Sequence, residues 1–200
     1  MVELNEVELN LLEIGQETFE TIEEEGDTML IYACRMGMKE EALELIKTDM
    51  ENVGATNKFG DTALIYACSM GMKEVALELI QTGMANIRAV SYRNDSALLN
   101  ACKMGMEEVA LELIKTGESV PELIDKYSAS SLTYACKMRM ENVALELINT
   151  GMSNPGTINS DGYTDFMYAC MNDLKQVKLL LEDDVDDEDE EYNCWYTNRE

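Results

Sequence analysis

Hydrophobic and polar residues follow each other along this chain in an order that recurs at a constant interval. One copy, Leu64 to Gly83, reads LIYACSMGMKEVALELIQTG, and three close variants of it occur elsewhere in the chain. Five evenly spaced cysteines mark the copies: Cys34, Cys68, Cys102, Cys136 and Cys170. We call the spacing from Cys34 to Cys68 the repeat interval. A fixed period of about 20–50 residues is typical of stacked structural repeats, so the pattern predicts a repeat protein.

Each copy contains two short amphipathic patterns, which predict a pair of α-helices. The first runs from Ala63 to Met70, with Asp61 and Thr62 as capping candidates and Gly71 as its terminator. The second runs from Lys73 to Gln81 and has helical spacing of its apolar residues. Neither helix is long enough to be stable alone, and neither apolar face can be covered within one copy. We therefore expect neighbouring copies to bury each other's hydrophobic faces.

The stretch GDTALIYACSMGMKEVALELI, from Gly60 to Ile80, resembles the ankyrin repeat, whose signature is G-x-T-P-L-H-x-A-A-x-x-G-H before a leucine- and valine-rich second helix. Two departures stand out. Ala63 and Ile65 replace the family's proline and histidine, and Arg139 occupies the glycine position of the fourth copy, at a cost of about 1 kcal/mol. The resemblance implies an all-α solenoid of stacked helix-turn-helix units with connecting loops or β-hairpin fingers.

The repeat register divides the chain into segments. We expect an N-terminal capping half repeat at 1–25 and ankyrin repeats at 26–59, 60–93, 94–127 and 128–161. A shorter C-terminal repeat follows at 162–182, and residues 183–200 form an acidic tail that we expect to be disordered.

Charge and composition restrict the partners. The formal net charge is −25, which repels phosphate backbones and argues against nucleic acid. No run of 18 apolar residues occurs, so no membrane span is predicted. The acidic N-terminus has no export signal, and six cysteines are then expected to be reduced thiols. These features predict an intracellular, cytoplasmic protein, or one in the host cytosol if its source is a virus or intracellular pathogen.

Catalytic chemistry has little support in the sequence. The chain has no histidine, and its carboxylates recur at the same place in every copy, whereas acid–base catalysis needs two different environments. Equivalent cysteines in packed helices lie about 8–10 Å apart, too far for disulfides, so they are predicted to pack as small apolar residues. We expect no catalytic residue, no metal and no cofactor. A metal- or thiol-dependent enzyme remains the least favoured alternative.

The methionines form two ladders at the repeat interval. Met38, Met72, Met106 and Met140 replace the family's histidine and are predicted to belong to the core. The other ladder consists of Met36, Met70, Met104 and Met138. Its position is half exposed on the inner surface of ankyrin repeats, so packing and partner contact both remain open for it. Unbranched, polarizable side chains would make an adaptable binding strip there.

The resemblance implies that partners touch the finger tips and the inner ends of the first helices. Basic residues at those positions are Lys58, Arg93 and Lys126 on the fingers and Arg35, Lys103 and Lys137 on the helices. The interleaved aromatic residues are Phe59, Tyr92, Tyr127 and Tyr163. Arginine and aromatic residues are enriched in interface hot spots. The alternative, which stays open, is that the basic residues only offset nearby acids.

We therefore expect a monomeric, non-catalytic module that binds a protein partner whose contacting segment is acidic or mixed in charge. A structural spacer without a selective partner is the main alternative. The nine carboxylates between Glu182 and Glu191 suggest one further hypothesis, that the tail competes with the partner for the basic face; the alternative is a solubilising tail. Cutting the chain after Leu181 would then raise partner affinity at low ionic strength.

Overall fold

The computed structural model of the chain describes residues 22, 24–151 and 156–182, which fall into two compact units divided after Ala97. The predicted capping half repeat at 1–25 lies outside the described residues except for Ile22, Glu24 and Glu25. The predicted acidic tail at 183–200 lies wholly outside them. The segment boundaries predicted from the register stay predictions.

Unit 1 contains two helix pairs. Its helices are α1 (Met29–Arg35), α2 (Lys39–Thr48), a short 3₁₀ helix (Met50–Asn52), α3 (Ala63–Ser69) and α4 (Lys73–Gln81). Within each pair the two helices pack on each other, α1 on α2 and α3 on α4. Between the pairs, the first helices pack together (α1 on α3), and so do the second helices (α2 on α4). Each short helix thus finds in the neighbouring pair the apolar cover that it lacks alone.

Unit 2 is built from the same kind of helix pair. Its helices are α5 (Ala97–Lys103, whose first residue precedes the division), α6 (Glu107–Lys115), α7 (Ser131–Lys137), α8 (Glu141–Asn149), α9 (Asp165–Met171) and α10 (Lys175–Leu181). Helix α7 packs on α8 and α9, and α8 packs on α6 and α10. The predicted all-α repeat architecture is therefore confirmed.

Hydroxyl side chains start the first helix of several pairs. The Oγ1 atom of Thr62 accepts a hydrogen bond of 3.1 Å from the backbone N–H of Ile65, which confirms Thr62 as a helix cap. Thr28, Ser130 and Thr164 make the equivalent bond in α1, α7 and α9. The cap is kept although Ala63 and Ile65 stand where the family has proline and histidine, because the hydroxyl alone satisfies the N3 donor.

Left-handed residues connect the two helices of each pair. Gly71 has φ = 68°, as its predicted role as a helix terminator requires, and Gly37 and Gly105 have φ of 71° and 68°. Arg139 and Asp173 adopt the same conformation at φ of 61° and 55° although they carry side chains. The backbone turn is thus kept even where glycine is not.

The core of each unit consists of the apolar faces of the first and second helices of its pairs. Leu64 and Leu79 are fully buried in unit 1, and burial of each such side chain stabilises the fold by about 1.5–3 kcal/mol. Four of the cysteines at the repeat interval, Cys34, Cys68, Cys102 and Cys136, are buried as predicted, and Cys170 is half-buried. In the second methionine ladder Met72, Met106 and Met140 are buried as predicted, whereas Met38 is half-buried.

Candidate protein-binding surface

The loops that join one helix pair to the next are fingers with the same turn at their tips. In the first of them, Oδ1 of Asn57 accepts hydrogen bonds of 3.0 Å from the backbone N–H groups of Phe59 and Asp61. Ser91, Asp125 and Asn159 make the same pair of bonds in the other described fingers. These are side-chain-supported turns, which fix the direction of the tip residues.

The fingers have the form of minimal hairpins. Single antiparallel bridges join Thr56 to Thr62, Val90 to Ser96 and Ile124 to Ser130. Adjacent fingers are also linked by their backbones within each unit: the N–H of Tyr92 donates to the carbonyl of Phe59 (2.9 Å), and that of Ser160 to Tyr127 (2.8 Å). The finger tips that carry the predicted aromatic residues are thus held in place by backbone hydrogen bonds.

In unit 1 the predicted cationic side chains contact acids of the same unit. Arg35 forms ion pairs with Glu25 and with Asp27, the latter at 3.1 Å. Arg93 donates from Nη2 to Asp61 at 3.1 Å, and its Nε lies 3.6 Å from Asp95. These arginines are therefore partly neutralised within the chain.

Lys58 is also engaged within unit 1. Its Nζ donates a hydrogen bond of 2.7 Å to the backbone carbonyl of Glu24, and its stem lies beside Gly26. A partner that used the Lys58 ammonium would have to replace this bond.

A buried acid–amide chain lies beneath the cations of unit 1. Asn57 donates from Nδ2 to Oδ1 of Asp27 at 2.8 Å, and the hydroxyl of Tyr66 donates to Oδ2 of Asp61 at 3.1 Å. Burial raises the pKa of Asp27, the Asn57 bond lowers it in part, and the charge of Asp61 raises it further. Burial and the neighbouring Asp61 likewise raise the pKa of Tyr66. Arg35 and Arg93 therefore stabilise buried charge in addition to any outward role.

In unit 2 the last predicted helix cation is neutralised. Lys137 Nζ lies 3.3 Å from Oδ2 of Asp161 and 5.6 Å from the centroid of the Tyr168 ring. The predicted tip residue Tyr163 packs on Tyr168 with a centroid distance of 5.3 Å. Lys137 and Tyr163 thus belong to a self-contained group at the last described finger.

The remaining predicted basic and aromatic residues of unit 2 form what we name the Tyr127 cluster: Lys103, Lys126 and Tyr127. The Nζ atoms of Lys103 and Lys126 lie 5.9 and 4.9 Å from the centroid of the Tyr127 ring, and Lys103 is also 5.8 Å from the Tyr134 ring. Tyr127 is 48% exposed. Among the described residues, neither lysine forms an ion pair with a carboxylate.

Asp125 is adjacent to the Tyr127 cluster, but its carboxylate is occupied. Oδ1 accepts from the backbone N–H groups of Tyr127 (2.8 Å) and Ala129 (3.0 Å), and Oδ2 accepts from the Tyr134 hydroxyl (2.8 Å). Burial and the bond to Asp125 raise the pKa of Tyr134 well above its usual range. Asp125 therefore serves the turn and Tyr134, and the two lysines are left as exposed cations against an aromatic face.

The first methionine ladder is exposed. Met36, Met70, Met104 and Met138 are each about half exposed, although the cysteine two residues before each of them is buried. The side chains nevertheless lie along the chain surface: the Met138 methyl carbon is 3.1 Å from the position that a Cβ atom on Gly105 would take, and the Met70 methyl is 3.5 Å from that of Gly37. Met70 and Met138 thus pack on the preceding repeat while remaining half exposed, and the choice between packing and partner contact for this ladder stays open.

A separate groove lies between α6 and α8 on the side of the second helices. It has a volume of about 530 Å³ and an apolar floor that includes Leu111, Ile114 and Leu145. The sequence carries no signal for this groove, because apolar residues at these positions are ordinary in an amphipathic helix.

The described residues offer little for catalysis or metal binding. Among them, no group of three or more histidine, cysteine or carboxylate side chains is placed to hold a metal ion. Burial raises the pKa of the Cys34 and Cys102 thiols to about 12, so that these sulfurs are protonated and poor nucleophiles. In the part of the chain that the structure describes, no helix has the length and apolar character to cross a membrane.

Helix pairs that return once per repeat interval and are joined by hairpin-like fingers define an all-α helical repeat protein. The sequence model of one family, described as "Ankyrin repeats (3 copies)", matches residues 7–91, 30–124 and 98–191. The chain belongs to the ankyrin repeat family. A search of curated proteins finds no match to it. Ankyrin repeats are generally protein-interaction modules.

Proposed function

We propose that this chain is a non-catalytic module that binds a selective protein partner through its finger tips and the exposed ends of its first helices. The observation that carries the proposal is the exposed methionine ladder. Met104 and Met138 are 47% and 45% exposed, and each directly follows a helix whose apolar residues are largely buried. Exposed methionines adapt their shape to a partner at little cost, so their recurrence at one position of the repeat favours a contact surface.

The aromatic tips support the same proposal. Tyr92 is 82% exposed, and Phe59 and Tyr127 are about half exposed, on fingers whose backbones are fixed by hydrogen bonds. A large aromatic side chain held on a rigid turn contributes contact area without much loss of entropy on binding. Each of the two units offers its own tips and methionines.

A structural spacer without a selective partner is the second candidate. The internal pairing of Arg35, Arg93 and Lys137 favours it, because these cations have a sufficient role within the chain. The spacer hypothesis does not account for exposed methionines at one constant position, since a spacer gains nothing from apolar groups in water.

Affinity capture with paired variants tests the proposal. The first variant is Met104→Gln with Met138→Gln. The matched control is Met50→Gln with Met84→Gln, because Met50 and Met84 are similarly exposed, at 43% and 47%, but lie outside the proposed surface. We expect a protein partner that wild type and the control recover and the first variant loses. No specific recovery by any of the three proteins favours the spacer, and equal recovery of one partner by all three contradicts the proposed surface.

A further inference from the structure

Among the residues that the structure describes, the two lysines of the Tyr127 cluster have no carboxylate counterion, although the net charge of the chain is −25. Lys103 and Lys126 face one exposed ring, so their ammonium groups can be no further apart than their two ring distances combined. Two like charges held near the same ring repel each other, and an anion bound beside the ring would relieve that repulsion. We propose that the Tyr127 cluster is the recognition site for an acidic side chain of the protein partner. This inference rests on the function proposed above and names the chemistry of that partner.

The next finger shows what kind of group fits beside such a lysine. Lys137 and Asp161 stand one repeat interval after Lys103 and Tyr127, and there the chain supplies its own carboxylate at 3.3 Å from the lysine. At the last described finger, the chain itself therefore supplies the carboxylate beside the lysine. At the preceding finger, the equivalent position is Tyr127, which supplies none. A carboxylate from outside can occupy the equivalent place at the Tyr127 cluster.

The surroundings of the cluster add an apolar requirement. Met104 follows Lys103 directly, and both Met104 and Met138 are exposed in the same unit. A partner segment that places a carboxylate on the lysines therefore binds where Met104, the residue after Lys103, is also exposed. The segment that fits is a peptide with an Asp or Glu residue close to a large apolar residue. Nucleic acid is disfavoured, since the net negative charge of the chain repels a polyphosphate.

The experiment uses the full chain and a displayed library of random peptides. Selected peptides are expected to be enriched in Asp or Glu beside an apolar residue. One selected peptide is then synthesised with its acid, with Gln or Asn in place of the acid, and with phosphoserine in place of the acid. Affinity is measured by fluorescence anisotropy at low and at high salt.

The protein variants are chosen to share their charge change. Lys103→Gln with Lys126→Gln is expected to weaken binding of the acidic peptide about tenfold, since each exposed ion pair contributes no more than a few-fold. It should have little effect on the Gln peptide, and high salt should reduce the difference. Lys115→Gln with Lys175→Gln is the control, because both are exposed lysines on second helices of unit 2 and lie beside an acid, Glu112 and Asp173 respectively. It should leave the affinity unchanged. Circular dichroism verifies that each variant is folded.

The outcomes separate this inference from the proposed function. Peptides that bind without an acid, ignore the two lysine substitutions and still lose binding with Met104→Gln and Met138→Gln overturn the inference and leave the proposed function standing. Binding that ignores both the lysine and the methionine substitutions overturns both. Tighter binding of the phosphoserine peptide than of the acidic peptide, or of labelled single-stranded DNA than of either, overturns the assignment of the site to a carboxylate.

Discussion

Arg93 reaches from an exposed finger tip to a fully buried acid, because its Nη2 donates a hydrogen bond of 3.1 Å to Oδ2 of Asp61. The two residues are 32 positions apart, at the two ends of the predicted repeat 60–93. The arginine side chain itself is 65% exposed. A residue placed on the surface by its register therefore also compensates a charge inside the unit, and a loss of binding on its substitution would have two possible causes.

Substitution of Arg93 separates those causes. We expect Arg93→Gln to lower the free energy of unfolding by about 1 kcal/mol, since Asp61 keeps the Tyr66 hydroxyl but loses its cation, and the exposure of the arginine limits the effect. Urea denaturation measures the change. Arg88→Gln is the control, as Arg88 is an exposed arginine of the same unit. Equal stability of the two variants would show that the Asp61 contact contributes nothing to folding.

Asp165 is the most unusual buried residue of unit 2. It is 0% exposed, and neither of its carboxylate oxygens has a hydrogen-bond partner among the described residues. The nearby Thr133 hydroxyl is already bonded to Ser130 in a capping box. Burial raises the pKa of Asp165 from its ordinary value of 3.8 to about 7, with a small opposing effect of Thr133. The register places Ala63 at the same position of an earlier repeat.

The stability of the protein should therefore fall as the pH rises. A raised pKa means that the folded state favours the neutral acid, so the contribution of Asp165 is complete below about pH 4 and is lost as the pH passes through about 7. We expect Asp165→Ala to raise the free energy of unfolding at pH 8 by about 2–4 kcal/mol and to flatten this slope. Urea denaturation from pH 4 to 8 measures it. Glu118→Ala, which changes the same charge at an exposed site of unit 2, should keep the slope of wild type.

Arg139 carries a side chain where other pairs have glycine. Its φ of 61° is left-handed, a conformation that costs a residue with a Cβ atom about 1 kcal/mol. We expect Arg139→Gly to raise the free energy of unfolding by about 0.5–1 kcal/mol. Arg139→Ala should give no such gain, because alanine has the same backbone strain without the charge. A gain of similar size for alanine would assign the effect to the arginine side chain rather than to the backbone.

The helices were predictable from sequence because each position is sampled several times. The second helix of one copy was predicted at Lys73–Gln81 and is found there, and the first helix ends at Ser69, one residue before the prediction. The turn at the finger tips was missed. Its supporting residue is Asn57, Ser91, Asp125 or Asn159, so what repeats is an oxygen acceptor rather than a residue type. A comparison of side-chain chemistry between positions one repeat interval apart would have found it.

The internal pairing of the cations was harder to predict. The prediction covered only the basic and aromatic residues. The acids Asp27, Asp61 and Asp95 recur at the same interval, and in the structure they contact the arginines of unit 1. Whether a cation is paired depends on whether this series of acids extends to it. The series stops before the Tyr127 cluster, because Ala129 occupies the next position at the repeat interval. The distances that decide between a paired and an unpaired lysine come from the packing of successive repeats and require the structure.

Gly105 and Gly117 allow the contact of the methionine ladder to be tested apart from backbone strain. Both have φ of 68°, but a Cβ atom on Gly105 would lie 3.1 Å from the Met138 methyl, whereas nothing lies within 4 Å at Gly117. Alanine at either position should cost about 1 kcal/mol of stability, because both have a left-handed backbone. The cost should be no larger at Gly105, because the Met138 methyl is the flexible end of an exposed side chain and can move aside.

In Gly105→Ala, however, that movement should change the ¹³C chemical shift of the Met138 methyl group and weaken the binding of any ligand that contacts this methyl group. Gly117→Ala should leave the Met138 signal in place. In Gly37→Ala the new Cβ would lie 3.5 Å from the Met70 methyl, so the Met70 signal should shift less than the Met138 signal does in Gly105→Ala. Identical methionine spectra for wild type and Gly105→Ala would contradict the packing of Met138 over Gly105, and with it the view that one repeat positions the binding side chains of the next.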